Sequence, residues 1–390
     1  MATHVQRDGA KPLTMRHGLS SAAPADTSDV YVSRVARHGH PFVAMASAFA
    51  RASVRCDSAL VTRHYAFGGH GVRVRLVGEA LARELVRPLA HLRVSTRRAP
   101  RATLTIDVWD GSESGEPIPR SPILEQGWMA WPAGDGRFLA SGDGRFIGYD
   151  TDSAVTWLDR RTGRVVGWRA DGLRLSVHER TRPIPFILPL ALQDRGMQLV
   201  HAGLVSVESC GILFGGSNGA GKSTCSLLCL CAGLEFLSDD HVGLQETDDG
   251  GFVGHSIYAS TRLEPHHLSR FPLLAPHGIP SDHPAETKSL VQLAEVFPER
   301  MRSSARVRAL VLPKIVGGAA ARIMPVSRAE ALRTLAPSSL LMLPFMPARS
   351  GFEKLVRLVE TVPCYRLEMG SDLDAVPARV LELVGALAAA

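Results

Sequence analysis

The sequence predicts an α/β protein, and three observations carry that prediction. A glycine-rich loop at 216–221 stands between an apolar strand-like run and a helix-like run. Near Pro183 the texture changes from short alternating runs to longer apolar ones. Before that point strand-like runs succeed one another at short spacing, with glycine turns between them, which predicts a smaller N-terminal α+β domain. The expected organisation is a disordered tail at 1–30, the α+β domain at 31–180 and a second domain at 181–390.

The elements follow in order. Residues 41–54 read as a helix. Residues 59–67 and 72–77 alternate around a turn that holds Gly68, Gly69 and Gly71, a hairpin signal. Residues 79–92 read as an amphipathic helix that Pro88 kinks. Strands are expected at 102–108, 137–140, 145–149, 154–158 and 164–168. In the second half, 200–207 and 211–214 read as strands, and a helix over 222–232 ends at Gly233. A short strand over 234–237 precedes two strands around the turn Asp248, Asp249, Gly250 and Gly251. A Pro- and His-rich loop covers 264–288, and 307–316 reads as a buried strand. Ser327 and Glu330 form a capping box at a helix start. A strand over 362–368 and a helix over 373–388 close the chain.

Composition narrows the function classes. Of 390 residues, 45% are hydrophobic and 21% charged, as in ordinary globular proteins. The net charge of +6 comes almost wholly from arginine, since the chain has five lysines. The arginines are scattered rather than striped, so no nucleic-acid partner is expected. The six cysteines form no CxxC pair, and three fall on one predicted helix, which reads as small buried hydrophobes in a reducing compartment. The first residues lack the apolar core of a signal peptide. The longest apolar run, 183–192, is interrupted by Pro185 and Pro189 and falls short of the roughly 20 residues a membrane helix needs. These features predict a cytoplasmic protein with no membrane span.

The loop itself reads Gly216, Ser217, Asn218, Gly219, Ala220, Gly221, Lys222, Ser223, Thr224, a full GxxxxGK[ST] match between strand and helix. Glycines let successive N–H groups point inward at an anion. The helix start near Lys222 adds its positive end. Lys222 is expected on the β- and γ-phosphates of ATP, and Ser223 on Mg²⁺. The loop alone fixes no reaction type.

Asp239 and Asp240 narrow it. The helix over 222–232 carries the chain about 16 Å away at ~1.5 Å per residue. Residues 235–239 return about as far at ~3.3 Å per residue. If that strand lies parallel beside the strand before the loop, the two carboxylates arrive level with the phosphates. One would then serve Mg²⁺ and the other would accept the proton of an attacking hydroxyl. An ABC-type ATPase shares the loop text, but the chain has neither an LSGGQ-like segment nor a later strand ending in Asp-Glu.

In order, Val200, His201 and Ala202, the loop, Ala232 and Gly233, and the run Phe236 to Asp240 resemble the catalytic domain of HPr kinase/phosphorylase and the related bacterial HprK-like serine kinases, whose P-loop core is shared with phosphoenolpyruvate carboxykinase. Tyr258 to Leu263 and the closing strand and helix are similar too. The resemblance covers about 195–388. It implies an HprK/PEP-carboxykinase-like fold and a kinase that uses ATP and Mg²⁺. Lys222 and the loop amides would hold phosphate, and Ser223 and Asp240 the metal. Asp239 would be the base and His201 its support, with the two aspartates open to exchange. Arg262 and Lys288 are weaker candidates for phosphate or substrate contact. The segments that engage HPr are not found. The implied acceptor is therefore a protein or peptide with a serine-type hydroxyl, its identity open, and a homo-oligomer is compatible. Two other readings stand beside it: a nucleotide-binding regulatory or scaffold protein, and a small-molecule hydroxyl kinase. His266, His267, His277 and His283 lie in the long loop, which reads as a lid or acceptor-recognition segment more than a metal site.

Overall fold

The computed structural model describes residues 41–119, 129–133, 136–281, 286–318, 320–343, 345 and 348–389. The expected tail at 1–30 and His283 lie outside them. Residues 41–390 cluster as one compact unit.

Pro41–Arg55 forms α1. It buries Phe42, Met45, Phe49 and Ala52, a helical three-to-four spacing, against Trp109, Trp157 and Val166. Leu60–Phe67 (β1) and His70–Val77 (β2) pair across Gly68 and Gly69, whose φ values of 52° and 85° suit a two-residue hairpin turn. α2 spans Glu79–Val86 and continues as a 3₁₀ turn over Arg87–Leu92, where Pro88 offers no N–H donor. β3 (Arg93–Val94), β4 (Ala102–Asp110) and the single turn α3 (Gly111–Ser114) follow. β5 (Met129–Ala133), β6 (Gly136–Ala140), β7 (Phe146–Asp150), β8 (Ala154–Asp159) and β9 (Arg164–Arg169) make an antiparallel meander. Among the described residues this sheet has nine strands in the order β3-β1-β2-β4-β9-β8-β7-β6-β5.

Two short helices, α4 (Val177–Thr181) and α5 (Ile187–Gln193), lead to the second sheet. Its strands are β10 (Gln198–Val200), β11 (Ala202–Val207), β12 (Cys210–Gly215), β13 (Glu235–Ser238), β14 (Val242–Glu246), β15 (Phe252–His255), β18 (Ser304–Ile315), β19 (Arg322–Pro325) and β20 (Cys364–Met369). α6 (Lys222–Cys231) lies between β12 and β13 in sequence. A separate ribbon pairs β16 (Thr261–Leu263) with β17 (Ser289–Val291), with α7 (Pro265–Leu268) between them and α8 (Leu293–Val296) after. α9 (Arg328–Leu340), α10 (Ala348–Thr361) and α11 (Ala375–Ala389) complete the described chain. The sheet order is β10-β14-β15-β18-β12-β11-β13, with β20 on β18 and β19 on β20. Parallel and antiparallel pairs occur in both large sheets, so the protein is a mixed α/β fold.

Alternation explains how the second sheet is covered. Ile212, Phe214, Ala309 and Val311 pack with Cys225 and Cys229 of α6 and with Val376 and Val380 of α11. Their neighbours Leu213, Leu310 and Leu312 pack with Leu335 of α9 and Leu355 of α10. All six cysteines are free, and Cys225 and Cys229 act as small core residues. Gly203 lets α6 approach β11, because a Cβ there would fall 2.1 Å from Ser226 Oγ. No helix among the described residues is long and apolar enough to cross a membrane.

Two sequence expectations change. The strand over 200–207 breaks at His201, because Val200 pairs with β14 while Ala202 pairs with β12. The His201 amide, left out of both ladders, donates to Ser339 Oγ at 3.2 Å. And β13 does not lie beside β12: the β11–β12 hairpin puts β11 between them, and the other side of β12 belongs to β18. β12 and β13 still run the same way, since β11 is antiparallel to both.

Candidate functional site

Three glycines shape the loop after β12. Gly216, Gly219 and Gly221 have φ of 151°, 78° and 102°, which other residues rarely adopt. A Cβ on Gly221 would also fall 2.3 Å from Met369 Cε, so the end of β20 packs directly on the loop. Gly221 caps α6, and the first amides of that helix have no intrahelical partner.

Lys222 is buried and turned back. Its Nζ donates to the carbonyls of Gly216 and Ser217, both at 3.0 Å. Ser338 Oγ of α9 also donates to the Gly216 carbonyl, at 3.3 Å. Burial lowers the Lys222 pKa, against the pull of Asp240 and Asp239. The cation therefore sits over the loop with only neutral oxygens as hydrogen-bond partners.

The aspartate pair follows β13 directly. Asp239 is buried, with Thr261 Oγ1 donating to its Oδ2 at 2.8 Å. Ser223 of the loop lies near enough to help lower the pKa of this carboxylate. Oδ1 of Asp239 is buried and has no partner. Burial and then the neighbouring Asp240 charge raise its pKa, more than the two hydroxyls and Arg182 lower it. Asp240 is treated oppositely. Arg182 and His201 Nε2 each reach one of its oxygens. Burial would raise its pKa, but the Arg182 charge and the His201 hydrogen bond hold it well below the carboxylate range. Its φ of 77° turns it away from Asp239, and the His241 amide closes the turn on the Asp239 carbonyl at 3.0 Å. His241 beneath is pushed down to about 3 by burial and then Arg182.

Arg182, His201, Lys222, Ser223, Asp239 and Asp240 line one cleft of about 1050 Å³, together with Asn218, Gly219, Thr224, Arg262 and Lys288. Lys222, Ser223, Asp239, Asp240 and His201, 201 to 240 in sequence, thus meet at one place. His201, expected beside the base with the two aspartates open to exchange, lies on Asp240. Two contributors escaped the sequence reading as site residues. Arg182 comes from the end of α4, 58 residues from its partner, and no local pattern marks it. Thr261 lies inside the run that resembles the HprK-like set, and that was its only signal. Asp372 and Asp374 after β20, and the exposed Ile315 at the end of β18, also line the cleft. Among the described residues no three His, Cys, Asp or Glu side chains are grouped as metal ligands.

The donor set fits a nucleotide phosphate chain with a hard divalent cation. It offers a glycine-rich curve of backbone, a helix start, an ammonium, a hydroxyl and two carboxylates, one with an unpartnered oxygen.

No family model matches the sequence. No curated protein matches it either. Among solved structures, the Hpr(Ser) kinase/phosphatase from Coxiella burnetii is similar at 12% identity, with a TM-score of 0.25, over 48% of this chain and 95% of that one.

Proposed function

We propose that this protein is an ATP- and Mg²⁺-dependent kinase that transfers the γ-phosphate to a serine-type hydroxyl of a protein or peptide. One observation carries the reading. Asp239 shares the cleft with Ser223 of the phosphate loop, Thr261 holds one of its oxygens, and the other oxygen is buried and unpartnered, with burial raising the pKa of the group. A carboxylate left open beside a phosphate loop is placed to take a proton as a hydroxyl attacks.

In this reading the amides of 216–224 cradle the phosphates. Lys222 exchanges the Gly216 and Ser217 carbonyls for the β- and γ-phosphates, where its charge is matched. Ser223 and Asp240 would hold Mg²⁺, which when bound neutralises charge across the phosphate chain. For Asp240 this means giving up a contact with Arg182 or His201, and Arg182 is then free to turn toward phosphate oxygen. Asp239 Oδ1 accepts the hydroxyl proton as the new O–P bond forms and the bond to ADP breaks. His201 acts on the centre through Asp240. The kinase domain would be 181–390, behind the 31–180 domain, in a cytoplasmic protein.

The test is transfer of ³²P from γ-labelled ATP with Mg²⁺ to a lysate of the protein's own source, beside Lys222→Ala and Asp239→Asn. A labelled species that both variants lose supports the kinase. ATP binding with no label on any protein, peptide or metabolite would overturn it in favour of a nucleotide-gated binding protein.

A further inference from the structure

Part of the cleft wall is built by the β16–β17 ribbon, by α7 and by the turn after it, which supply Arg262, Lys288, His267 and Arg270. The ribbon starts at the reaction centre, because Thr261, its first residue, is the one bonded to Asp239. Arg262 comes next. Its Nη1 donates to Glu286 at 2.9 Å, and its buried Nε has no partner. The ribbon register sets Leu263 against Ser289, so Lys288 enters opposite Glu264. The turn after α7 brings Arg270 round, and Arg270, Lys288 and Glu264 all act electrostatically on His267. Among the described residues neither Arg270 nor Lys288 has a side-chain ion pair.

Among the described residues two glutamates face the three cations Arg262, Arg270 and Lys288. Glu286 pairs with Arg262, and Glu264, opposite Lys288, keeps its charge while its Oε2 accepts from Thr287 Oγ1 at 2.8 Å. The cations exceed these acids by one, and an excess of cations raises the local concentration of anions. Of the other acids of the cleft, Asp239 and Asp240 follow β13, and Asp372 and Asp374 follow β20, whose end packs on Gly221 beside the phosphate loop.

We propose that this wall recognises acidic side chains of the acceptor, so that the hydroxyl to be phosphorylated lies in a peptide segment with carboxylates beside it. The inference rests on the kinase reading and names the substrate class for that same site. The cations come from three pieces of chain: β16, the turn after α7 and the residue before β17. An extended peptide advances ~3.3 Å per residue and can present several carboxylates in a row.

The experiment uses the full chain, Mg²⁺ and two labelled serine peptides that differ only in Glu against Gln at the flanking positions. Binding is read by fluorescence anisotropy with a non-hydrolysable ATP analogue, and transfer with γ-labelled ATP. Arg270→Glu with Lys288→Glu is compared with the milder Arg270→Ala with Lys288→Ala, and nucleotide binding verifies that each variant is folded. We expect the Glu peptide to bind and to be labelled about tenfold better than the Gln peptide. The double reversal should abolish that preference and the alanine pair weaken it. Equal binding and labelling of the two peptides overturns the acidic-acceptor inference and leaves the kinase standing. Glu-selective binding that the reversal removes, with no label transferred, upholds the recognition wall and overturns the kinase. Binding of neither peptide overturns the inference.

Discussion

Asp107 in β4 and Asp239 at the end of β13 are both buried carboxylates in large sheets, and their surroundings differ in kind. Arg75 grips both oxygens of Asp107 at 2.7 Å, and Arg164 adds contacts at 3.0 and 3.2 Å. Buried Asp110 is closed by the amides of Ser112, Glu113 and Gly172, and three further buried acids of that half are closed by arginines. Asp159 is held by Arg145, Glu116 by Arg51 and Glu179 by Arg169. Asp239 has the Thr261 hydroxyl on it, no ion pair with an arginine, and one oxygen without a hydrogen-bond partner. The first sheet spends its arginines on internal closure. The second keeps a carboxylate oxygen and an arginine nitrogen open in one cleft. An unpaired buried charge is costly, so its presence argues for a ligand that completes it.

The contrast breaks first under substitution of the two acids. Asp239→Asn should cut phosphoryl transfer by about 10²–10⁴-fold, the usual share of a general base, while ATP still binds. Asp107→Asn should leave transfer near its original rate. Equal losses in the two variants, measured in one labelling assay, would dissolve the distinction.

Stability should move the other way. Asp107→Ala strands two arginines and should cost about 2 kcal/mol in a urea titration. Asp239→Asn should stabilise the nucleotide-free protein at neutral pH. The folded pKa of Asp239 is raised, so its favourable contribution exists below the unfolded carboxylate value and is lost as pH rises through the folded one. At neutral pH the raised pKa makes the carboxyl a net burden, which Asn removes. A lower urea midpoint for Asp239→Asn would contradict the assigned environment.

A third, smaller effect concerns acid. His91, whose Nε2 meets Ser256 Oγ at 2.6 Å, and His255 of β15 are both pushed down to about 4, first of all by burial. A depressed folded pKa gives stability that is whole above about 6.5 and is lost as pH falls toward 4. The urea midpoint should therefore drop between pH 7 and 5, and His91→Gln with His255→Gln should flatten the fall. An unchanged slope in the double variant would assign the acid sensitivity elsewhere.

Much of this was legible in the sequence because it was local. The hairpin of β1 and β2 and the capping box at Ser327, whose Oγ accepts the Glu330 amide at 3.2 Å, are short-range signals. The glycine loop with its strand and helix is another. What the sequence hid was long-range. That β11 intervenes between β12 and β13 depends on which strands pair, and hydrophobic alternation is the same for either arrangement. Arg182 was one arginine among many, and only the fold puts it on Asp240. His201 was a candidate in the sequence, but which aspartate it meets was left open, because neighbouring aspartates differ in direction, which a string of letters does not record.

That direction has a consequence at the level of the genetic code. The left-handed backbone of Asp240 is one that glycine, asparagine and aspartate enter most readily. Among the single-base neighbours of an aspartate codon, asparagine and glycine suit that backbone, and both discard the negative charge that Arg182 and His201 clasp. Glutamate keeps the charge, but with a longer side chain and a poorer fit to the turn. Mutation thus finds no easy neutral step away from aspartate at this position.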